Sequence, residues 1–157
     1  MTEIRIASAD DAELLTVLNR AIHAPHAAMA PEFFKAELDE VAVTGFFREA
    51  LADEAQLAAI AELDGQAVGY VLVERAEKPE SPFTFGNCRL LVHHLVVIET
   101  ARRKGVASAL MNWAQEHARA CGAQRLVLDH LAVNTQAEKF YEALGYSPLR
   151  VTCSKEV

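Results

Sequence analysis

The sequence predicts an α/β fold with a mixed, mostly antiparallel, twisted sheet and a central parallel strand pair flanked by helices. Three observations carry that expectation. Two apolar runs, 56–63 and 66–73, are joined by Asp64-Gly65, a strong hairpin signal. The run 90–98 (LLVHHLVVI) is nearly continuous in apolar, β-branched residues, as in a strand buried on both faces. A helical pattern over 105–121 and a further strand at 125–129 come after it. Such a crossover requires its two flanking strands to be parallel and the connection to be right-handed.

From the N-terminus, residues 3–7 read as a short strand. Ser8 with Asp11 resembles a capping box that opens a helix with Leu14, Leu15, Leu18 and Ile22 on one face. Pro31 suits the first turn of a second helix carrying Phe33, Phe34 and Leu38. Residues 44–52 continue in helix, with Phe46, Phe47 and Leu51 at core spacing. Residues 75–87 hold two prolines and a glycine without periodicity, hence a loop. The helix from 105 places Val106, Ala109, Leu110, Trp113 and His117 along one face, and Gly122 is a natural stop. Asn134 caps a last helix carrying Ala137, Phe140, Tyr141 and Leu144, Gly145 ends it, and Tyr146 onward reads as a final strand. No repeat, low-complexity tract or linker divides the 157 residues, so 1–157 is expected to form a single domain.

Composition narrows the class. Hydrophobic residues make up 52% and charged residues 24%, an ordinary globular balance. No apolar run is long enough for a bilayer, and the acidic N-terminus (MTEIRIASADD) lacks a signal-peptide core. A cytoplasmic protein without a membrane partner is expected. Cys88, Cys121 and Cys153 form no CxxC pair, which fits free thiols in a reducing compartment. The net charge of −7 argues against general nucleic-acid binding. That charge is uneven: residues 1–88 hold 6 Lys/Arg against 16 Asp/Glu, a net of −10, and residues 89–157 hold 9 against 6, a net of +3. Two readings stand: chance on a solvated surface, or a polyanionic ligand held by the second half and a cationic one met by the first.

The turn at 98–107 carries the chemistry. A buried strand delivers the chain to a helix whose first turn offers unpaired N–H groups and the positive end of a dipole. Arg102, Arg103 and Lys104 precede it, and Gly105 and the small Ala107 permit close approach to the backbone. This is an anion site suited to a pyrophosphate. It is neither a Walker loop nor a GxGxxG turn.

Arg102-Arg103-Lys104-Gly105-Val106-Ala107 resembles the Q/R-x-x-G-x-G/A signature of the GNAT superfamily of acetyl-CoA-dependent N-acetyltransferases, and it lies after the expected strand. NTQAEKFYEALGY, with Asn134 seven residues before Tyr141, is similar to the family's N-x-x-A…Y-x-x-x-G-[FY] element. The match covers the second half well and the first only through its order of elements. The resemblance implies a GNAT-type sheet, acetyl-CoA as co-substrate, no metal, and a small-molecule or peptide amine as acceptor. It also implies direct attack in a ternary complex, with homodimers common in the family. Carried over by position, the strand Leu95, Val96 and Val97 would meet the pantetheine arm, through the backbone of Leu95 and Val97. Arg102 and the amides of Arg103, Lys104, Gly105, Val106, Ala107 and Ser108 would cradle the pyrophosphate. Asn134 and Ala137 of the second element would complete the cofactor site, and Tyr141 would protonate the departing thiolate. Two plain structural readings stand beside these, a helix N-cap for Asn134 and a core aromatic for Tyr141.

Only a neutral amine can attack a thioester, so something must accept a proton. His93 aligns with the catalytic histidine of the similar aralkylamine acetyltransferases, and neutral imidazole suits the task. A hydrogen-bonded core histidine is the other reading of His93, and His130 is the reserve base. By strand alternation, His93 and His94 are expected on opposite faces. Cys88 lies at the wrong end of its strand for an acyl-carrying nucleophile. The stretch from His26 to Lys35 resembles an acceptor-side segment of some family members, which would put His26 and Phe34 in the substrate pocket. His23 and His26 alone are poor evidence for a metal. Two departures from the pattern are Ala107 in place of a final Gly, which the signature permits, and Ile98-Glu99-Thr100 where Asp-Pro-Glu is common. The alternative function is a non-catalytic acyl-CoA-binding sensor or scaffold on the same fold.

Overall fold

The computed structural model describes residues 1–157. Five strands, β1 (Thr2–Ile6), β2 (Gln56–Leu63), β3 (Gln66–Lys78), β4 (Asn87–Val97) and β5 (Arg125–Leu128), form one sheet in the order β1-β2-β3-β4-β5. The first three pairings are antiparallel and β4–β5 is parallel. The helices are α1 (Ala12–Met29), α2 (Glu40–Ala52), α3 (Val106–Ala120) and α4 (Thr135–Ala143). They lie on both faces. Helices α1 and α2 cover one face through Leu15, Leu18 and Phe47, which pack on Ile60, Tyr70, Leu72 and Val96. Helix α3 covers the other, where Leu110, Met111 and Ala114 pack on Val71, Val73 and Leu90. Leu110 is fully buried, and burial of one such side chain contributes about 1.5–3 kcal/mol.

The crossover through α3 makes β4 and β5 parallel as expected. Three elements differ from the sequence reading. Residues 30–39 form turns instead of a helix: Phe33 is 72% exposed, so its phenylalanines do not share a core face. The segment is instead tied to α1, where the His23 imidazole bonds the Lys35 carbonyl at 2.7 Å and Phe34 packs on His26. Strands β3 and β4 extend into the expected loop, because residues 74–78 pair with 87–91 across a longer hairpin. No strand comes after Tyr146, so the parallel pair ends the sheet.

Helix α1 continues past Pro25. Proline has no N–H for the carbonyl four residues earlier. That carbonyl, Ala21 O, receives Arg102 Nη2 at 3.4 Å instead, and the same guanidinium donates to Val97 O at 3.4 Å. Arg102 thereby ties the middle of α1 to the end of β4.

Candidate active site

Strand β4 builds the site through a single-residue bulge. Leu72 pairs with His94 and Val73 with Val92, so His93 has no partner on β3. An extra residue breaks the two-residue alternation and re-aims the side chains beyond it. Leu90 and Val92 face α3, whereas Val96 is buried against the α1–α2 side. The expectation that His93 and His94 point to opposite faces is therefore corrected. His93 Nε2 meets Glu74 Oε2 at 2.5 Å, and His94 Nδ1 meets the Tyr70 hydroxyl at 3.0 Å. Glu74 and Tyr70 share one face of β3, so both imidazoles lie on that face.

Their environments differ. Asn19 Nδ2 donates to Tyr70 Oη at 2.8 Å, leaving the phenol proton for His94 Nδ1. Burial, with smaller contributions from His93 and His26, holds the His94 imidazole down at about 4. His94 is thus neutral, with its proton on Nε2. His93 is 39% exposed at the side chain and is oriented by a carboxylate that the sequence reading did not single out. Glu74 could have been found only by knowing the hairpin register and the bulge.

Beyond the bulge β4 loses its other neighbour. The last β5 pairing is Val92 with Leu128, while β4 runs on to Val97. Ile98 N donates to Val68 O at 2.9 Å, and antiparallel bonds fall on alternate residues. Val96 and His94 therefore bond to β3, and the main-chain groups of Leu95 and Val97 point to the side that β5 has vacated. Val96 differs from its two neighbours, with its side chain in the opposite core and its main chain committed to β3.

The start of α3 faces this open edge. Gly105, at φ 81°, occupies the left-handed region, as does Arg103 at φ 63°. The helix begins at Val106, and its first internal bond runs from Ala109 N to Gly105 O. The N–H groups of Val106, Ala107 and Ser108 have no acceptor within the helix, at the positive end of its dipole.

Edge and helix start line a single cleft of about 850 Å³. Of the predicted residues it contains His93, Leu95, Val97, Arg102, Arg103, Gly105, Val106, Ala107, Ser108, Asn134, Ala137, Tyr141, His26 and Phe34. Val96 and Lys104 do not line it. Asp129, His130 and Arg150 do, although sequence reasoning gave Asp129 and Arg150 no role. Arg150 lies on the segment read as a strand, and without a ladder that segment is free to approach the cleft.

Asn134 caps α4, its Oδ1 accepting from Ala137 N at 3.1 Å, so its amide N–H₂ is left for other partners. Tyr141 packs between His130 and Tyr146, with ring centroids at 6.1 and 5.7 Å. Burial foremost, then Tyr146 and Asp129, pushes its phenol up to about 12, so it carries its proton at neutral pH. Burial, then His23, lowers His26. No group of three metal-ligating side chains converges anywhere in the chain, and no helix is long and apolar enough to cross a membrane.

The fold is that of several solved structures. A tetramutant of the BH1408 protein from Bacillus halodurans superposes with a TM-score of 0.91 at 19% identity, over 99% of each chain. Aminoglycoside N-acetyltransferase AAC(6')-Iy, solved in complex with CoA, gives 0.78 at 20% identity, over 99% of this chain and 95% of that one. A ribosomal-protein-alanine N-acetyltransferase from Brucella melitensis biovar Abortus gives 0.72 at 22% identity, over the whole of both chains. No curated protein matches the chain by sequence. The model of the acetyltransferase (GNAT) family matches residues 22–146, well over half of the 157, and the chain belongs to that family.

Proposed function

We propose that the protein transfers the acetyl group of acetyl-CoA to a primary amine of a small molecule or peptide, by direct attack with both substrates bound. The observation that carries this reading is that one cleft holds three kinds of group together. These are the main-chain edge of Leu95 and Val97 beyond β5 (where Val97 O already receives Arg102), the unpaired N–H groups of Val106, Ala107 and Ser108, and the two proton-handling side chains His93 and Tyr141. A pantetheine arm bears amides that can bond a strand edge, and a pyrophosphate is an anion suited to a helix start. A volume of about 850 Å³ falls in the range of ligand pockets.

The thioester supplies an activated acyl carbon when bound. The chain's own groups manage position and protons. Leu95 and Val97 orient the arm, Arg103 adds positive charge just before the helix start, and Arg150 adds positive charge on the cleft wall. His93, oriented by its hydrogen bond to Glu74, accepts the proton that the ammonium must lose. Tyr141 keeps its hydroxyl proton at neutral pH and donates it to the leaving sulfur. His94, neutral and bonded to Tyr70, is not placed for that exchange.

The deciding experiment tracks release of free CoA with a thiol probe while acetyl-CoA is offered with polyamines, amino acids, aminoglycosides and peptides in turn. Amine-dependent release that stops on His93→Gln supports the reading. Acetyl-CoA binding by calorimetry with no release for any amine would leave the sensor or scaffold reading instead.

A further inference from the structure

A second chamber of about 490 Å³ opens beside the cleft, between α1, α2, residues 30–39 and β4. The two spaces share Ile22, His26, Phe34, His93 and Asp129, so an amine entering the chamber meets the cleft at His93. Its walls include Phe34, Phe46, Phe47, Leu38 and Val43. Phe46 and Phe47 lie 5.3 Å apart and each is 5.9 Å from the His94 ring. Phe47 is fully buried and holds Phe46 in place, and the exposed Phe46 is the ring that can take another against it.

Most polar groups on these walls are already bonded within the protein. His23 is bonded to the Lys35 carbonyl, one Asp39 oxygen caps α2 through Val41 N and Ala42 N, and the Asn19 amide donates to Tyr70. A ligand rich in hydroxyls would leave its own groups unpaired here. Asp129 accepts no side-chain or backbone bond within the protein and sits where the two spaces meet. An anionic group on the acceptor would face Asp129 and Asp39, with Lys35 the one lysine or arginine on the chamber's wall.

We propose that this chamber takes the acceptor, and that the acceptor is a compact monoamine with an apolar, ring-sized body, an arylalkylamine in chemical terms. Its ammonium lies at the Asp129–His93 junction and its ring against Phe46, which the buried Phe47 backs from the core. The inference rests on the acetyl-transfer reading above and adds the substrate class.

The test measures kcat/KM with acetyl-CoA for three acceptors: 2-phenylethylamine, phenylalanine and neamine. Phenylalanine adds a carboxylate to the same body, and neamine replaces that body with hydroxyls and further amines. The chamber should favour phenylethylamine over each by at least about 10-fold, the scale on which an apolar pocket discriminates. Phe46→Ala should raise KM for phenylethylamine on the order of 10-fold while KM for acetyl-CoA is unchanged, with partial recovery in Phe46→Leu. Phe46 is 47% exposed, so its truncation spares the core. Turnover of neamine or phenylalanine at or above phenylethylamine would overturn the substrate class and leave acetyl transfer standing. Acetyl-CoA binding without release of CoA for any class of amine would overturn both. An unaltered KM for phenylethylamine in Phe46→Ala would mean that the chamber is not where the acceptor sits.

Discussion

Gly105→Asp tests the anion cradle most directly. Gly105 has φ 81°, and a Cβ built on it meets nothing within 4 Å. Strain alone should therefore be modest, about 1–2 kcal/mol for an L-residue held in the left-handed region. In a chain of 157 residues that corresponds to a loss of roughly 2–8 °C in Tm. The larger effect falls on the ligand. The new carboxylate would lie beside the N–H groups of Val106, Ala107 and Ser108, competing for them and repelling a phosphate. Like charges about 5 Å apart, at an effective dielectric of about 20, repel by about 3 kcal/mol, which is on the order of 10²-fold in affinity. Gly105→Ala carries the strain without the charge and should weaken binding by less than about 10-fold. Calorimetric titration with acetyl-CoA, alongside thermal melts, separates the two effects. The cradle is misplaced if the Asp variant melts as expected yet binds acetyl-CoA as tightly as the parent.

Proton handling gives the remaining predictions. His93→Gln should lose activity mainly near neutral pH and recover in part at alkaline pH, where the amine deprotonates without help; a flat loss across pH would refute the base assignment. Glu74→Gln keeps the hydrogen-bonding shape but removes the charge beside His93, so kcat should fall roughly 10-fold or more with acetyl-CoA affinity unchanged. Equal kcat in parent and variant would make Glu74 a bystander. Tyr141→Phe should lower turnover on the order of 10²-fold and spare cofactor binding, and full turnover with a chemistry-limited amine would return Tyr141 to the core. His94 makes a prediction about stability: its folded value of about 4 lies below the ordinary 6.5. Its contribution is therefore complete above 6.5 and is lost as pH falls toward 4, up to about 3 kcal/mol in all. Urea unfolding between pH 7 and 4 should show that loss in the parent and not in His94→Gln.

Much of the second half was legible because its signals are local. The β-branched run, the basic turn and the caps at Gly105 and Asn134 each act within a few residues of themselves. The pairing of β4 with β5 results from the crossover between them. The first half was less legible, because its outcome depends on distant partners. Pro31 looks like a helix start, yet residues 30–39 are held by His23 and His26 of α1. Helix α1 runs on through Pro25, and Arg102, distant in the chain, satisfies the carbonyl that the proline leaves without a donor. The strand expected after Tyr146 failed for a similar reason, since the β-propensity of a segment does not supply it with a ladder partner.

The bulge at His93 is where these levels meet. Unbulged, β4 would put His94 on the face of Leu90 and Val92, towards α3, and the alternation rule would be right. The inserted residue turns His94 into the pocket formed by Tyr70, Phe46 and Phe47. It also leaves His93 beside Glu74, at the junction of the two spaces. The same insertion sets which main-chain groups beyond it face away from β3, and they are those of Leu95 and Val97. Deleting His93 should therefore remove the base and leave the rest of the strand in place. His94 would follow Val92 directly, so that Leu72 still pairs with His94 and Val73 with Val92, now in a regular ladder. His94 would stay on the α1–α2 face, and the edge facing away from β3 would stay at Leu95 and Val97. His93→Ala and the deletion should both lose turnover and still bind acetyl-CoA, measured by calorimetry. If the deletion variant loses acetyl-CoA binding while His93→Ala keeps it, the register beyond the bulge is not the one that pairs Leu72 with His94.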